Sequence, residues 1–508
     1  MKLFSFLLLS PTISSAVCPL PHRGREGKAF LQLCGKNDAK ASTILSDTLY
    51  WDHLLDNFDS TVEGNTGETF QSRYYVDSTN YRPGGPYFLY IGGEGPLSGP
   101  ANGFIQDLAA SHGARIYSLE HRFYGESLPQ HSIDIALSVE YLQFHTVDQA
   151  LFDLAAFIDF INSSIAPDEG IPEWFAVGGS YPGALSSWFR IAYPNHTVAS
   201  LSSSGVVNAL FEFPEFDQQV ATSAGEQCAN AIRASTTALE TAMNSNSTAT
   251  KALFNAAPDA LTWDADFWVS QNTTFEYVIT RFFIFIFFFY FQQYMVADSA
   301  AMAVQYGMKA SLCDPLNDAY LSGGDLVATF ANITNNVWGD SFASDCFYDS
   351  NCLADANFAD RWQPTARSWR WQKCSQLAYF QIAPAESSLR SSKVTIDYHL
   401  RQCDKVFGAN ITDPENASAA WNAKFGGSKP VEKNTFFSNG SDDPWQQASI
   451  LPLNSYSKEE PALLAHCAGC GHCGDLASPK EDQPANLTLQ QTAIASFVKR
   501  WVSTAPSS

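Results

Sequence analysis

Positive charge is what this chain has least of. Its 508 residues carry 30 Lys and Arg against 52 Asp and Glu, a formal net charge of −22. Without a basic stripe to neutralise phosphates, nucleic acid is excluded as a partner. Long apolar runs are missing as well. Beyond the N-terminus the most apolar stretch, 282–291, has only ten residues. A membrane-crossing helix needs about 20, so this stretch reads as a buried helix or interdomain contact, and no anchor is evident. No internal repeat is found. The acidic balance suits a soluble protein of an acidic or extracellular compartment.

What is present supports a large core: 45% hydrophobic and 14% aromatic residues. The length fits two domains, or one large domain with an insertion. The N-terminus reads as a secretory signal over 1–16. Lys2 precedes an apolar run at 3–9, and Ser14-Ser15-Ala16 supplies a cleavage site after Ala16. A leader, 17–45, follows with Cys18 and Cys34. There are 11 cysteines, expected to pair in an oxidising compartment, with at least one thiol free or pairing between chains. Glycosylation sequons stand at Asn162, Asn195, Asn246, Asn272, Asn332, Asn410, Asn416, Asn439 and Asn486. The expectation is a glycoprotein, secreted or lysosomal/vacuolar.

Along 46–208, strand and helix patterns alternate. Strands are predicted at 69–75, 86–91, 114–119 and 174–177. Helices are predicted at 104–112, 147–161 and 184–191, where apolar residues recur with helical period. Such alternation predicts a mostly parallel sheet with helices on both faces. From 209 to 425 strand signals fade. Ala-rich helical stretches take over, along with six cysteines (Cys228, Cys313, Cys346, Cys352, Cys374 and Cys403), which reads as a helical, disulfide-stapled insertion. Over 426–508 the α/β texture resumes, with a strand at 435–438 and a closing helix at 488–502.

The stretch Gly178-Gly179-Ser180-Tyr181-Pro182-Gly183 lies between a predicted strand and a predicted helix. A serine on such a turn has the geometry of a nucleophile elbow. Small residues at 178, 179 and 183 let the backbone pass close to its neighbours, or take positive φ. The stretch departs from G-x-S-x-G, since position 182 is Pro and the second glycine comes one residue late. An α/β-hydrolase orders its triad nucleophile, acid, histidine. Downstream, Asp442 and Asp443 follow the strand at 435–438, and His472 sits on the glycine-rich loop Cys470-Gly471-His472-Cys473-Gly474. Ser180, Asp443 and His472 are therefore the candidate catalytic residues. His472 would take the Ser180 proton, and Asp443 would fix its tautomer. Asp442 is an alternative acid; His121 and His466 are alternative histidines. The Tyr181 amide, and Gly93 on the loop Gly92-Gly93-Glu94-Gly95, are candidate oxyanion donors. Cys467, Cys470, His472 and Cys473 have a spacing that could bind zinc. The secretory context favours disulfides, and no distant partner pair exists, so no metal or cofactor is assigned.

In combination these motifs resemble a known family, the prolyl carboxypeptidase/dipeptidyl peptidase II serine peptidases, from about residue 50 to the C-terminus. The resemblance is carried by Thr69-Phe70-Gln71-Ser72-Arg73-Tyr74, Gly92 to Pro96 and Glu120-His121-Arg122-Phe123-Tyr124-Gly125. It continues in Gly178 to Leu185, Val304-Gln305-Tyr306-Gly307, the stretches 369–381 and 439–445, and His472 to Leu476. It implies an α/β-hydrolase fold whose insertion is a helical cap over the site, with triad roles for Ser180, Asp443 and His472. It also implies cleavage after proline, as a Pro-Xaa carboxypeptidase or dipeptidyl peptidase. Under that resemblance Trp445 is expected to stack on a pyrrolidine ring or simply to pack. Glu94 is expected to bind a substrate amino terminus or to be structural. Two departures bear on exo- or endo-action. Cys473 follows His472, as in fungal secreted prolyl endopeptidases of the family, and Gln376 stands where a glutamate is expected. A prolyl endopeptidase, an esterase on the same scaffold and a non-catalytic binding member are the alternatives. The expected partners are proline-containing peptides; the sequence leaves a homodimer open.

Overall fold

The computed structural model of the chain describes residues 48–59, 67–165, 170–255, 293–339, 346–355, 363–409, 413–430, 434–452 and 461–503. The expected signal and leader, the apolar run at 282–291 and the sequons at Asn272 and Asn410 lie outside the described residues.

Eight strands share one sheet: β1 Leu49–Leu54, β2 Thr69–Asp77, β3 Tyr87–Ile91, β4 Arg115–Leu119, β5 Trp174–Gly179, β6 Ala199–Ser203, β7 Thr435–Gly440 and β8 Ala462–Ala465. Their order is β1-β2-β4-β3-β5-β6-β7-β8. Only β2 runs against its neighbours; every other adjacent pair is parallel. This order and polarity make the fold an α/β-hydrolase. Parallel neighbours require crossovers, which here are α1 (Phe104–His112), α2 (Val147–Ser163) and α3 (Tyr181–Ala192). Thr146 starts α2 by accepting the Gln149 amide on its side chain, satisfying one of the orphan donors of a helix start.

Between β6 and β7 the described residues form no strand. They form α4 (Pro214–Ala224), α5 (Glu226–Leu253), α6 (Gln293–Gln305), α7 (Lys309–Ser322), α8 (Leu326–Trp338), α9 (Gln363–Gln372), α10 (Ile396–Phe407) and α11 (Pro414–Phe425). A π-helical turn, Lys373–Leu377, follows α9 directly. Three disulfides staple this segment: Cys228–Cys313, Cys346–Cys352 and Cys374–Cys403. After β8, α12 (Ala485–Trp501) closes the described chain.

Side chains alternate across each strand, so one face of the sheet gathers Phe88, Ile116, Phe175 and Val177 under α1 and α12. The other face gathers Leu89, Tyr117 and Ala176 under α2 and α3, and this core continues into the helical segment. Phe175 is fully buried, and cutting it to Ala would cost about 3–5 kcal/mol. α3 is buried on nearly all sides. Trp188 on it meets the ring of Trp421 from α11 at 5.1 Å, so the central helix is clasped between sheet and helical segment.

Candidate active site

β5 ends at Gly179 and α3 begins at Tyr181, leaving Ser180 alone on the turn with φ 63° and ψ −128°. A non-glycine residue held there costs about 1–3 kcal/mol and persists only where its surroundings over-determine it. Those surroundings are specific. The Ser180 amide donates to Ser203 O at 2.9 Å, and its carbonyl accepts from the Ala184 amide at 3.0 Å. A Cβ on Gly178 would stand 2.0 Å from the Pro182 carbonyl oxygen, and one on Gly183 2.7 Å from Ser203 O. The positive φ therefore falls on the serine. The three glycines, none of which has positive φ, serve by close approach alone. Pro182 is the second residue of α3, where a backbone N–H would have no intrahelical acceptor. The displaced glycine is thus no obstacle to the turn.

β7 delivers the acids. Asp443 is fully buried; its Oδ1 accepts the Trp445 amide at 2.9 Å, and its Oδ2 lies 2.7 Å from His472 Nδ1. Asp442 does something else: its Oδ2 accepts from Lys309 Nζ at 3.1 Å and from the Gly469 amide at 2.8 Å. It pins the histidine loop to α7 and leaves the imidazole to Asp443. The His472 amide donates to Gln305 O, the last residue of α6, at 2.7 Å. Burial alone would push the His472 pKa down. The carboxylate of Asp443 and the neighbouring Cys473 more than offset this, and the net shift is well upward.

The other histidines separate cleanly. His466 is exposed. His121 is buried, with Nε2 2.9 Å from the Tyr181 hydroxyl and Nδ1 2.7 Å from Arg122 O; burial lowers its pKa to about 4. It supports Tyr181 from behind. The Tyr181 amide is the first of α3, so it has no intrahelical acceptor and points its dipole toward the turn. Gly93 abuts the same turn: a Cβ there would come within 2.8 Å of Pro182 Cγ.

Ser180 opens on a cavity of about 670 Å³, its mouth included, with Glu94, Phe216 and Trp445 in its lining. Glu94 is 7% exposed, and burial raises its pKa to about 7. Trp445 both packs and lines: its ring meets Phe216 at 5.1 Å and Phe213 at 5.8 Å, while its Nε1 donates to Gln305 Oε1 at 3.0 Å. Sequence reasoning missed the far lining, Asp298, Lys373 and Gln381. All three come from the helical segment, and no spacing signal links them to Ser180.

The cysteine cluster resolves into a Cys467–Cys470 disulfide and a free, buried Cys473. Gln376 lies away from the chemistry, with Oε1 accepting the Val147 amide at the start of α2 at 2.8 Å. The sequon at Asn439 is corrected. Asn439 is 1% exposed inside β7 and donates to Ile450 O, so the folded chain does not present it. Among the described residues no helix is long and apolar enough to cross a membrane.

Comparison with known proteins shows the family of the chain. The family model described as Serine carboxypeptidase S28 matches residues 53–494. The chain is 36% identical over 447 residues to a probable serine protease of Arabidopsis thaliana, covering 85% of this chain and 81% of that one. It is 24% identical over 522 residues to the lysosomal Pro-X carboxypeptidase of Mus musculus, covering 98% of each. Among solved structures, the proline iminopeptidase of Mycobacterium smegmatis aligns with 84% of this chain and 95% of that one, at 11% identity and a TM-score of 0.31.

Proposed function

The chain belongs to the serine carboxypeptidase S28 family and is a serine peptidase; from that premise we propose that it hydrolyses peptide bonds on the carboxyl side of proline, as an exopeptidase, through an acyl-enzyme on Ser180. In this reading the Ser180 hydroxyl attacks the carbonyl carbon of the proline residue while His472 Nε2 takes its proton. The resulting oxyanion is held by the amides of Tyr181 and Gly93. Collapse breaks the C–N bond, and His472 gives its proton to the leaving amine. Water, deprotonated by the same imidazole, then hydrolyses the ester and restores Ser180. Asp443 keeps Nδ1 protonated so that Nε2 is the basic nitrogen.

The observation that carries this reading is the His472–Asp443 contact of 2.7 Å, on the loops after β8 and β7, together with the left-handed Ser180 after β5. Post-proline specificity is supported by the apolar wall of Trp445, Phe216 and Val206 beside Ser180, since an aromatic face suits a rigid pyrrolidine ring. We further propose that 46–208 and 426–508 form one hydrolase body, with 209–425 its cap, and that the protein travels the secretory route to a secreted or lysosomal location. Glu94 is proposed to bind a substrate amino terminus, with a structural role as the alternative.

A fluorophosphonate probe should label the protein, and Ser180→Ala should abolish labelling; persistent labelling would remove Ser180 from its role. A peptide library then reads the specificity. Turnover confined to bonds after proline supports the proposal, while ester turnover without peptide turnover defeats it.

A further inference from the structure

The cavity that Glu94 lines also holds a basic side chain. Lys373 lines it and is 1% exposed. Its ammonium donates to Gln381 Oε1 at 3.1 Å, an oxygen that already accepts the Tyr294 hydroxyl at 2.8 Å. Among the described residues Lys373 has no other hydrogen bond and no ion pair, although an ammonium carries three donors. The groups that act on it electrostatically are Arg370, Arg390 and Asp298. Arg390 is bound to Asp217, Nε to Oδ1 at 3.0 Å. Asp298 is shared among Arg390, Lys373, the Tyr348 hydroxyl and Arg370. Arg370 is fully buried, and its Nε and Nη1 have no partner among the described residues. Three buried basic side chains thus stand close to two carboxylates, and burial together with Arg370 pushes the Lys373 pKa well down, so its charged form lacks a close anionic partner until one is brought in. An unpaired buried charge is costly, and such sites are retained where a ligand supplies the missing partner.

The backbone under Lys373 is specialised too. Lys373 opens the π-helical turn Lys373–Leu377, and the next two residues, Ala378 and Tyr379, hold φ of 58° and 50°. π-turns and strained non-glycine residues cluster at functional positions. The strain has a local use. It turns Tyr379 against Trp445, ring centroids 5.9 Å apart, so Lys373 and the wall beside Ser180 are joined by one short stretch.

We propose that Lys373, backed by Arg370, is the specificity-determining cation of this cavity and receives a carboxylate of the peptide substrate. This rests on the peptidase reading above and deepens it: an enzyme whose cavity requires a terminal carboxylate acts at the carboxy-terminal end of its substrate. A carboxylate can be the terminal one or that of an acidic side chain, and the test separates them. Three peptides with proline as the penultimate residue are compared. One ends in a neutral residue with a free acid, one in the same residue as an amide, and one in a Glu amide. The expected outcome is a free-acid preference over the neutral amide of roughly tenfold or more in kcat/KM, expressed mainly in KM, the scale of one hydrogen bond to a charged group. Lys373→Met should reduce that ratio to within about threefold of unity, while Lys373→Arg keeps most of it. Preference for the Glu amide instead identifies a side-chain carboxylate. Equal rates for all three peptides, or a ratio untouched by Lys373→Met, overturn the proposal.

Calorimetry on the Ser180→Ala protein measures the same three affinities without turnover and with Lys373 intact. It decides the question if Lys373→Met does not fold. Loss of probe labelling and turnover in the unsubstituted protein would defeat the peptidase reading alone; equal affinity for acid and amides would defeat this one.

Discussion

Two Ser–His–Asp strings run through this molecule. One is Ser180, His472 and Asp443. The other is Ser72, His53 and Asp153. His53 Nε2 lies 2.7 Å from Ser72 Oγ, and its Nδ1 lies 3.2 Å from Asp153 Oδ1. Judged on hydrogen bonds alone, the second string is the more complete triad. Its surroundings say otherwise. Ser72 sits mid-strand in β2, paired with Trp51 across the sheet, with no turn to expose its hydroxyl and no helix start behind it. His53 is held between rings, stacked on Trp51 at 4.2 Å and against Phe70 at 4.1 Å. Asp153 is gripped by Arg122 through Nε at 2.6 Å and Nη2 at 2.8 Å. Burial would raise the Asp153 pKa, but Arg122 and His53 pull it well below the usual carboxylate range. One string borders only a small void of about 280 Å³, its mouth included, from mid-strand; the other opens from a strained turn on the cavity of about 670 Å³. The proposed assignment of Ser180 as nucleophile therefore rests on its turn and its cavity, more than on a chain of hydrogen bonds.

The contrast can be broken experimentally. The largest effect is expected at the nucleophile: Ser180→Ala should lower kcat by about 10⁶, whereas Ser72→Ala should leave turnover of the folded protein within about threefold, a change under 1 kcal/mol. Equal losses at both serines would erase the distinction. Next come the acids. Asp443→Asn should cost about 10⁴ in kcat with little change in stability, and it carries a pH signature. Because Asp443 helps hold the His472 pKa above its usual 6.5, the base is protonated, and idle, below that raised value. kcat/KM should therefore fall as pH drops, with a midpoint above 6.5. In Asp443→Asn that midpoint should move to lower pH; an unmoved acid limb would assign it to another group. Asp153→Asn should do the opposite of Asp443→Asn, weakening the Arg122 grip and costing about 3–5 kcal/mol in urea denaturation with turnover per folded molecule retained. The smallest effect is Ser72→Ala on stability, about 1 kcal/mol for one buried hydrogen bond, visible as a lowered Tm.

Legibility in the sequence followed the strength of local patterns. The helix at 104–112 and the strands around it were readable because apolar spacing there is undisturbed. β6 was not. Its sequence is Ala-Ser-Leu-Ser-Ser, and the serines look like loop until their partners appear. Ser202 Oγ donates to Gly183 O, and Ser200 Oγ lies 2.9 Å from Thr435 Oγ1. β1 and β8 are the edge strands and depend on their neighbours' registers. At the site, the turn at Ser180 and the nearness of Asp443 to His472 were legible because the order of the proposed triad residues follows the strand order of the fold. The choice between Asp442 and Asp443 was not, since it depends on where Lys309 and Gly469 arrive. Lys373, Asp298 and Gln381 were invisible for the same reason. Tertiary folding brings them to Ser180 from far along the chain; the stretch 369–381 stands out as a motif, but nothing in it gives Lys373 or Gln381 a place beside the serine.

Gln305 ties together two parts of the site. Its backbone oxygen holds the His472 amide and its side chain holds the Trp445 indole; a Cβ on Gly471 would come within 2.1 Å of that same oxygen. The end of α6 is thus a rivet joining the helical segment to the base. If the segment lifted away at this point, His472 would lose its backbone anchor and Trp445 its ring orientation together. One residue at the end of α6 therefore fixes both the histidine loop and the indole, so a substitution that displaced Gln305 would disturb the two together.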